Sequence, residues 1–186
     1  MTLIIVPTRE LAEQIYVESR KLCFNTGLET VRIYGGNNRG QQINDLKNGA
    51  DILIATPGRL IDFLNSDNLI SLRNVKYFII DEADRILDMG FEAQLKEIIF
   101  SHDLVKKVNR QNLFFSATFT NEIKEMATSF MNEYYFINIS QDQEISGNKN
   151  ISQEVIRLND NEKYSKLHEI LQNIKGSVLS KFLCNI

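Results

Sequence analysis

Short apolar runs alternate along the chain with stretches in which apolar residues recur every three or four positions. The apolar runs are rich in Ile, Leu and Val, which is typical of buried strands, whereas the longer period is typical of amphipathic helices. We predict strands over residues 3–6, 30–34, 51–55, 76–80, 113–115 and 135–139, and helices over residues 11–24, 41–47, 60–64, 92–100 and 121–130. Because strands alternate with helices, we predict an α/β fold with a parallel sheet covered by helices on both faces.

Two of the predicted helices have a defined inward face. In the helices over 11–24 and 121–130, the inward residues recur with the helical period, which is typical of an amphipathic helix. The predicted inward residues are Leu11, Ile15, Ser19 and Leu22 in the first helix, and Ile123, Met126, Ala127 and Phe130 in the last.

The pattern changes after residue 139. Residues 140–151 are polar with little apolar periodicity, which is typical of a linker. Beyond it, residues 155–158 are predicted to form a strand and residues 162–174 a helix. One strand and one helix cannot bury a core of their own. We therefore predict one domain over residues 1–139, a linker over 140–151 and the start of a second domain over 152–186.

Composition narrows the functional classes. The net charge of −3 argues against a protein that holds nucleic acid through a dense basic face. The two cysteines, Cys23 and Cys184, offer neither a disulfide framework nor zinc-site spacing. No apolar stretch reaches the roughly 20 residues of a membrane span, so we expect no membrane partner and a location in the cytoplasm or the nucleus.

Small or charged clusters follow five of the predicted strands. Ligands of parallel α/β sheets bind beyond the carboxyl ends of the strands, so we expect these clusters to form one functional edge. The clusters are Pro7-Thr8-Arg9-Glu10, Gly35-Gly36, Thr56-Pro57-Gly58-Arg59, Asp81-Glu82-Ala83-Asp84 and Ser116-Ala117-Thr118.

The acidic cluster has the chemistry of a metal and hydrolysis site. An ionised Asp81 at the end of a buried strand can hold Mg²⁺ through water, and Glu82 beside it can polarise an attacking water. Taken alone, an Asp-Glu pair after a strand is also compatible with a solvated loop or a helix start. The residues that follow, through Phe91, favour the site.

The order of the five clusters resembles that of a known family. Pro-Thr-Arg-Glu-Leu-Ala, Gly-Gly, Thr-Pro-Gly-Arg, Asp-Glu-Ala-Asp and Ser-Ala-Thr occur here in the order found in the DEAD-box ATP-dependent RNA helicases. Residues 34–36, 40–43, 84–91 and 115–119 most resemble the Ded1/DDX3/Vasa branch. The resemblance implies a RecA-like first helicase domain, the start of a second RecA-like domain, ATP and Mg²⁺ as cofactors and RNA as partner.

The resemblance also implies roles for the acidic and hydroxyl residues. Asp81 and Glu82 contact the nucleotide site, with Asp81 holding Mg²⁺ through water and Glu82 activating the attacking water. Asp84 links this edge to the hydroxyl groups of Ser116 and Thr118. Together these five residues form the predicted catalytic set.

The remaining motif residues are predicted to bind the RNA backbone. Arginines make charge-assisted bonds to phosphates, and glycines and helix-opening amides allow a sugar-phosphate backbone to approach closely. Such contacts read backbone shape and the 2′-hydroxyl, so binding should be independent of base sequence. The predicted RNA-binding residues are Pro7, Thr8, Arg9, Gly35, Gly36, Thr56, Gly58 and Arg59.

Family elements that precede and follow these motifs are missing from the 186 residues. The chain has no Gly-x-x-x-x-Gly-Lys-Ser/Thr phosphate loop (Walker A). We expect this helicase fragment to lack ATPase activity alone, and the alternative is a non-catalytic truncated product that binds RNA weakly. A metal-dependent nuclease is disfavoured, because it leaves residues 7–12 and 116–118 without a role. We also expect the absent Walker A strand to lie between the strands ending at Asp81 and Ser116, leaving both unpaired there and the fragment prone to aggregate.

Overall fold

A computed structural model describes residues 1–66, 69–139 and 154–173. Five four-residue strands form one sheet, in the order β2–β3–β1–β4–β5, and every neighbouring pair is parallel. The strands are β1 (Thr2–Ile5), β2 (Thr30–Ile33), β3 (Ile52–Ala55), β4 (Tyr77–Ile80) and β5 (Gln111–Phe114). The predicted α/β fold with a parallel sheet is confirmed.

Helices occupy most of the connections between the strands. Those in the connections and after β5 are α1 (Arg9–Leu22), α2 (Arg39–Leu46), α3 (Pro57–Ser66), α4 (Ala83–Asp88), α5 (Glu92–Phe100) and α6 (Asn121–Phe130). A 3₁₀ turn, Lys107–Asn109, precedes β5. The helix α4 and the first turn of α3 were not predicted, since each lies close to a motif that the sequence suggested as a loop.

The sheet is covered on both faces. Leu3 and Ile5 of β1 belong to a large apolar cluster that also contains core residues of α3, α5 and α6, whereas Ile4 and Val6 belong to a second cluster around Ala12 of α1. Successive residues of a strand point to opposite faces. The two clusters are therefore the two layers of core, one on each side of the sheet.

The predicted inward faces differ in outcome. The face of α6 is confirmed, because its four predicted residues, Ile123, Met126, Ala127 and Phe130, are all buried. The face of α1 is partly wrong. Leu22 is 84% exposed at the end of the helix, and the residue that is fully buried is Ala12.

Two predicted strands do not form. Residues 135–139 have no regular structure, and Phe136 instead stacks on the ring of Phe119 at a centroid distance of 4.3 Å. Residues 155–158 are likewise irregular, and Val155 is 95% exposed. Both runs favour extended backbone, but a strand also needs a neighbouring strand to pair with, and neither run joins the five-stranded sheet of the described residues.

The expectation that β4 and β5 are left unpaired where they face each other is also wrong. The two strands pair directly and in register, from Tyr77 opposite Gln111 to Ile80 opposite Phe114. Their backbone groups satisfy one another, so no gap exists at this point of the sheet. Within the described part of the chain, β5 is an edge strand.

The chain divides into two units, Met1–Phe136 and Ile137–Ile186. The first contains the whole sheet. In the second, the described regular element is α7 (Asp160–Asn173), which begins two residues before the predicted helix over 162–174. Residue 174 lies outside the described residues, and so does the whole predicted linker, 140–151, since residues 140–153 are not described. No helix in the described ranges is long and apolar enough to cross a membrane.

Candidate nucleic-acid interface

The five motif clusters lie at one edge of the sheet. Parallel pairing continues just beyond the strands: Val6 N–H donates to Ala55 O (3.0 Å), Asp81 N–H to Ile5 O (3.0 Å) and Phe115 N–H to Ile80 O (2.8 Å). These bonds keep the carboxyl ends of neighbouring strands level. Residues that are far apart in sequence therefore become neighbours along this edge.

An open groove of about 480 Å³ lies at this edge. Its lining comes from the loops after β1, β2 and β3 and from the connection between α4 and α5. The lining residues are Pro7, Thr8, Arg9, Glu10, Gly35, Thr56, Gly58, Arg59, Met89 and Phe91. Every predicted RNA-binding residue except Gly36 is among them.

Two helices begin at the groove. Thr8 caps α1, its Oγ1 accepting a hydrogen bond from Leu11 N–H at 3.3 Å, and Pro57 is the first residue of α3. Proline suits this position because its missing N–H would be unpaired there in any case. The N-terminus of a helix carries partial positive charge and free N–H groups, so both helices favour an anion in the groove.

Arg9 is paired with an acid in this structure. Its Nε lies 2.5 Å from Glu10 Oε1, and this hydrogen bond holds the pKa of Glu10 below its usual value. Gly36 lies close to the same guanidinium: a Cβ at Gly36 would sit 3.9 Å from Arg9 Nη1. Gly36 also has φ of +80°, a conformation that glycine adopts without strain.

Arg59 is held more firmly than Arg9. Its side chain is 14% exposed, its Nε lies 3.6 Å from Asp62 Oδ2, and its guanidinium lies over the ring of Phe63. Its Nη1 is shielded from solvent and has no hydrogen-bond acceptor among the described residues. A shielded donor without an acceptor is costly.

The glycine loop after β2 is positioned by Gln42. The side chain of Gln42, 2% exposed on α2, accepts from Tyr34 N–H at 3.0 Å and donates to Tyr34 O at 3.1 Å. Both bonds hold the residue immediately before Gly35. From the sequence, Gln42 is only part of the segment 40–43 that resembles the family, because a glutamine on a polar helix gives no sign of burial.

The acidic cluster lies at the end of β4. Asp81 Oδ1 accepts from Glu82 N–H at 2.9 Å, and its other carboxylate oxygen has no protein partner among the described residues. Glu82 has a left-handed backbone, with φ of +49°, which is uncommon for a residue with a side chain. Its carboxylate lies 3.4 Å from Nη1 of Arg85. The turn places both acidic residues at the carboxyl end of β4, on the same edge of the sheet as the groove.

Asp84 connects β4 to the loop after β5. Its Oδ2 accepts from both N–H and Oγ1 of Thr118, each at 3.1 Å, and its own N–H donates to Ser116 Oγ at 3.2 Å. Short side chains with several bonds hold a fixed geometry. The structure thus brings together the three residues that the sequence reading had linked.

A sequence model of the DEAD/DEAH box helicase family matches residues 1–126. The chain belongs to the DEAD/DEAH box helicase family. It is 45% identical over 170 residues to DEAD-box ATP-dependent RNA helicase 52A of Oryza sativa subsp. japonica, a match that covers 91% of this chain and 28% of that relative. The chain therefore spans less than a third of that relative's length.

A solved structure supports the fold within this family. A hypothetical ATP-dependent RNA helicase from Sulfolobus tokodaii resembles the chain with a TM-score of 0.64 and 36% identity, over 72% of this chain and 39% of that one. The RecA-like fold predicted from the motifs is confirmed. The motif residues of the family occupy the sheet edge described above.

The acidic cluster suits a magnesium ion that is held mainly by other ligands. No group of three or more His, Cys, Asp or Glu side chains within the described ranges could form a metal cage. Mg²⁺ in nucleotide-binding proteins keeps several waters and takes one or two carboxylates together with phosphates. The free oxygen of Asp81 fits such a role.

Proposed function

We propose that this chain is the part of an ATP-dependent RNA helicase that grips the RNA backbone and supplies the acidic half of its ATP site. The observation that carries the proposal is the groove. Residues from three separate motifs, selected as RNA contacts from sequence alone, line one open surface with two helix N-termini and two arginines. Phosphate is the ligand that this combination favours.

The grip should not depend on base sequence. The polar groups that line the groove are two arginine side chains, two threonine hydroxyls, the Glu10 carboxylate and helix-opening amides. Arginine side chains, hydroxyls and helix-opening amides are the groups that commonly bind phosphates and sugars, and those contacts carry no sequence information. RNA of any composition would therefore bind with similar affinity.

In the complete enzyme, Asp81 would hold Mg²⁺ through water and Glu82 would orient the water that attacks the terminal phosphate. The metal would neutralise developing phosphate charge. The bonds of Asp84 to Ser116 and Thr118 would carry changes at the acidic cluster to the next loop, and so couple ATP hydrolysis to RNA unwinding or remodelling. The 186-residue chain, without a Walker A motif, would not turn over ATP by itself, because phosphoryl transfer depends on positioning.

The lineage and the location of the chain are part of the proposal. Residues 34–36, 40–43, 84–91 and 115–119 support the Ded1/DDX3/Vasa branch. Because RNA is found in the cytoplasm and the nucleus, the chain would be located in one of these compartments. The second candidate function is that of a non-catalytic fragment that binds RNA weakly. It uses the same groove, but no ATP hydrolysis accompanies the binding.

The test is RNA binding by the Arg59→Ala variant of the full chain. Fluorescence anisotropy with labelled uridine and adenosine oligomers should show equal weakening for both, and the slope of log affinity against log salt should fall by about one. Arg20→Ala is the matched control, since Arg20 is an exposed arginine on α1 that does not line the groove. Equal affinities for Arg59→Ala and the original chain would refute the grip.

A further inference from the structure

The groove is lined by residues of two chemical kinds. Arginines, hydroxyls and amides come from the strand-end motifs. Met89 and Phe91 are two apolar side chains that come from the connection between α4 and α5. Neither residue was selected from the sequence, and the phosphate-binding groups do not explain why apolar surface faces the same space.

The backbone that presents Met89 is fixed. Gly90 N–H donates to Leu87 O at 2.8 Å and Phe91 N–H donates to Ile86 O at 3.0 Å, and Gly90 has φ of +75°. This pair of bonds around a left-handed glycine is the Schellman arrangement that ends helices. The C-terminus of α4 is therefore a defined turn, with Met89 at its C-cap position.

The two apolar side chains differ in burial. Phe91 is partly buried and packs against the main core, so it supports the turn. Met89 is 46% exposed and lines the groove. An unbranched thioether adapts to the surface that meets it and makes favourable contacts with ring systems.

A single RNA strand also presents surfaces of two chemical kinds. Its phosphates are charged, whereas its riboses and unpaired bases present less polar faces that stack on apolar side chains. In a duplex the base faces are hidden in the stack. A groove that combines phosphate-binding groups with an exposed apolar side chain on a fixed backbone turn matches a single strand better than a duplex.

We propose that Met89 is a binding residue for single-stranded RNA, packing against the ribose and base faces of the strand whose phosphates lie against Arg9 and Arg59. The inference rests on the proposed function of the groove. It adds a contact that is apolar and therefore insensitive to salt, and a preference for unpaired over paired RNA.

The test compares Met89→Gln with Met89→Leu in the full chain. Glutamine keeps the length of the side chain but is polar, and leucine keeps the apolar character. Met89→Gln should weaken binding of a short uridine oligomer about three- to tenfold, from the size of a thioether-to-ring contact. Met89→Leu should bind nearly as the original chain does. Leu22→Gln, at a highly exposed apolar residue outside the groove, is the matched control and should have no effect.

Salt dependence separates this proposal from the one on which it rests. Met89→Gln should leave the salt slope unchanged, because no phosphate contact is lost, whereas Arg59→Ala should lower it. The advantage of the single strand over a duplex of the same length should also shrink in Met89→Gln. If Arg59→Ala weakens RNA binding and Met89→Gln does not, the inference about Met89 is overturned and the proposed function of the groove stands. A loss of RNA affinity in Met89→Gln together with a reduced salt slope would also overturn it. An RNA affinity of Arg59→Ala equal to that of the original chain would refute the proposed backbone grip itself.

Discussion

Replacing Gln42 with leucine should destabilise the chain and loosen the glycine loop. The substitution removes the acceptor for Tyr34 N–H and the donor to Tyr34 O, while the site itself stays buried. Each buried backbone group left without a partner costs about 1–3 kcal/mol. Burying leucine in place of an amide returns about 1 kcal/mol, so we expect a net loss of about 3 kcal/mol.

Urea unfolding followed by circular dichroism measures this loss. With a urea dependence of about 1–3 kcal/mol/M, the midpoint should fall by about 1 to 3 M. The control is Gln41→Leu, at the exposed neighbouring position on α2, which should stay within about 0.5 kcal/mol of the original chain. RNA affinity should also fall in Gln42→Leu measured under conditions where it is still folded, because the loop containing Gly35 loses its support.

The comparison of the two leucine variants tests whether Gln42 holds the loop after β2. Equal stability of Gln42→Leu and Gln41→Leu would mean that Tyr34 finds other partners, and the account of how the loop is held would then be wrong. If Gln42→Leu is less stable but binds RNA with unchanged affinity, Gln42 has a structural role but does not affect the groove.

Two further predictions follow from hydrogen bonds outside the groove. In a double-mutant cycle of Asp84→Ala and Thr118→Val, the hydroxyl bond to Asp84 should appear as a coupling free energy of unfolding of about 1 kcal/mol; additive effects would show that the bond contributes nothing. Burial would raise the pKa of Asp103, but bonds from Leu72 N–H and Ser71 Oγ outweigh it and lower that pKa. The stabilisation from ionised Asp103 is complete above the usual aspartate pKa of about 4 and is lost as the pH falls through the lower pKa of the folded state. Asp103→Asn should therefore reduce the free energy of unfolding less at about pH 3 than at about pH 7. An equal reduction at both pH values would contradict the lowered pKa.

Local pattern was enough to find most of the architecture. The core of the sheet was predictable because buried strands are nearly continuous apolar runs, and α6 was predictable to the residue because its apolar side chains repeat with the helical period. The motif clusters were found at strand ends for the same reason. Parallel pairing places all such ends at one edge, so their convergence followed from the fold class.

Pairing and burial were decided by the tertiary structure. Residues 135–139 have the composition of a strand but do not join the sheet of the described residues, and β5 pairs directly with β4 although the family resemblance suggested a strand between them. Hydrogen-bonded partners of a strand are distant in sequence, and apolar pattern does not identify them. Composition therefore predicts a tendency to extend, whereas only the assembled sheet determines which runs become strands.

The site shows the same division between local and distant information. The arginines, glycines and acids were recognisable because their chemistry is local to each motif. Gln42 and Met89 were not, since the first matters through its burial against Tyr34 and the second through a turn that directs it into a groove built mostly by other loops. Which polar residue becomes buried, and which apolar residue faces a ligand, depends on the packing of elements far apart in the chain.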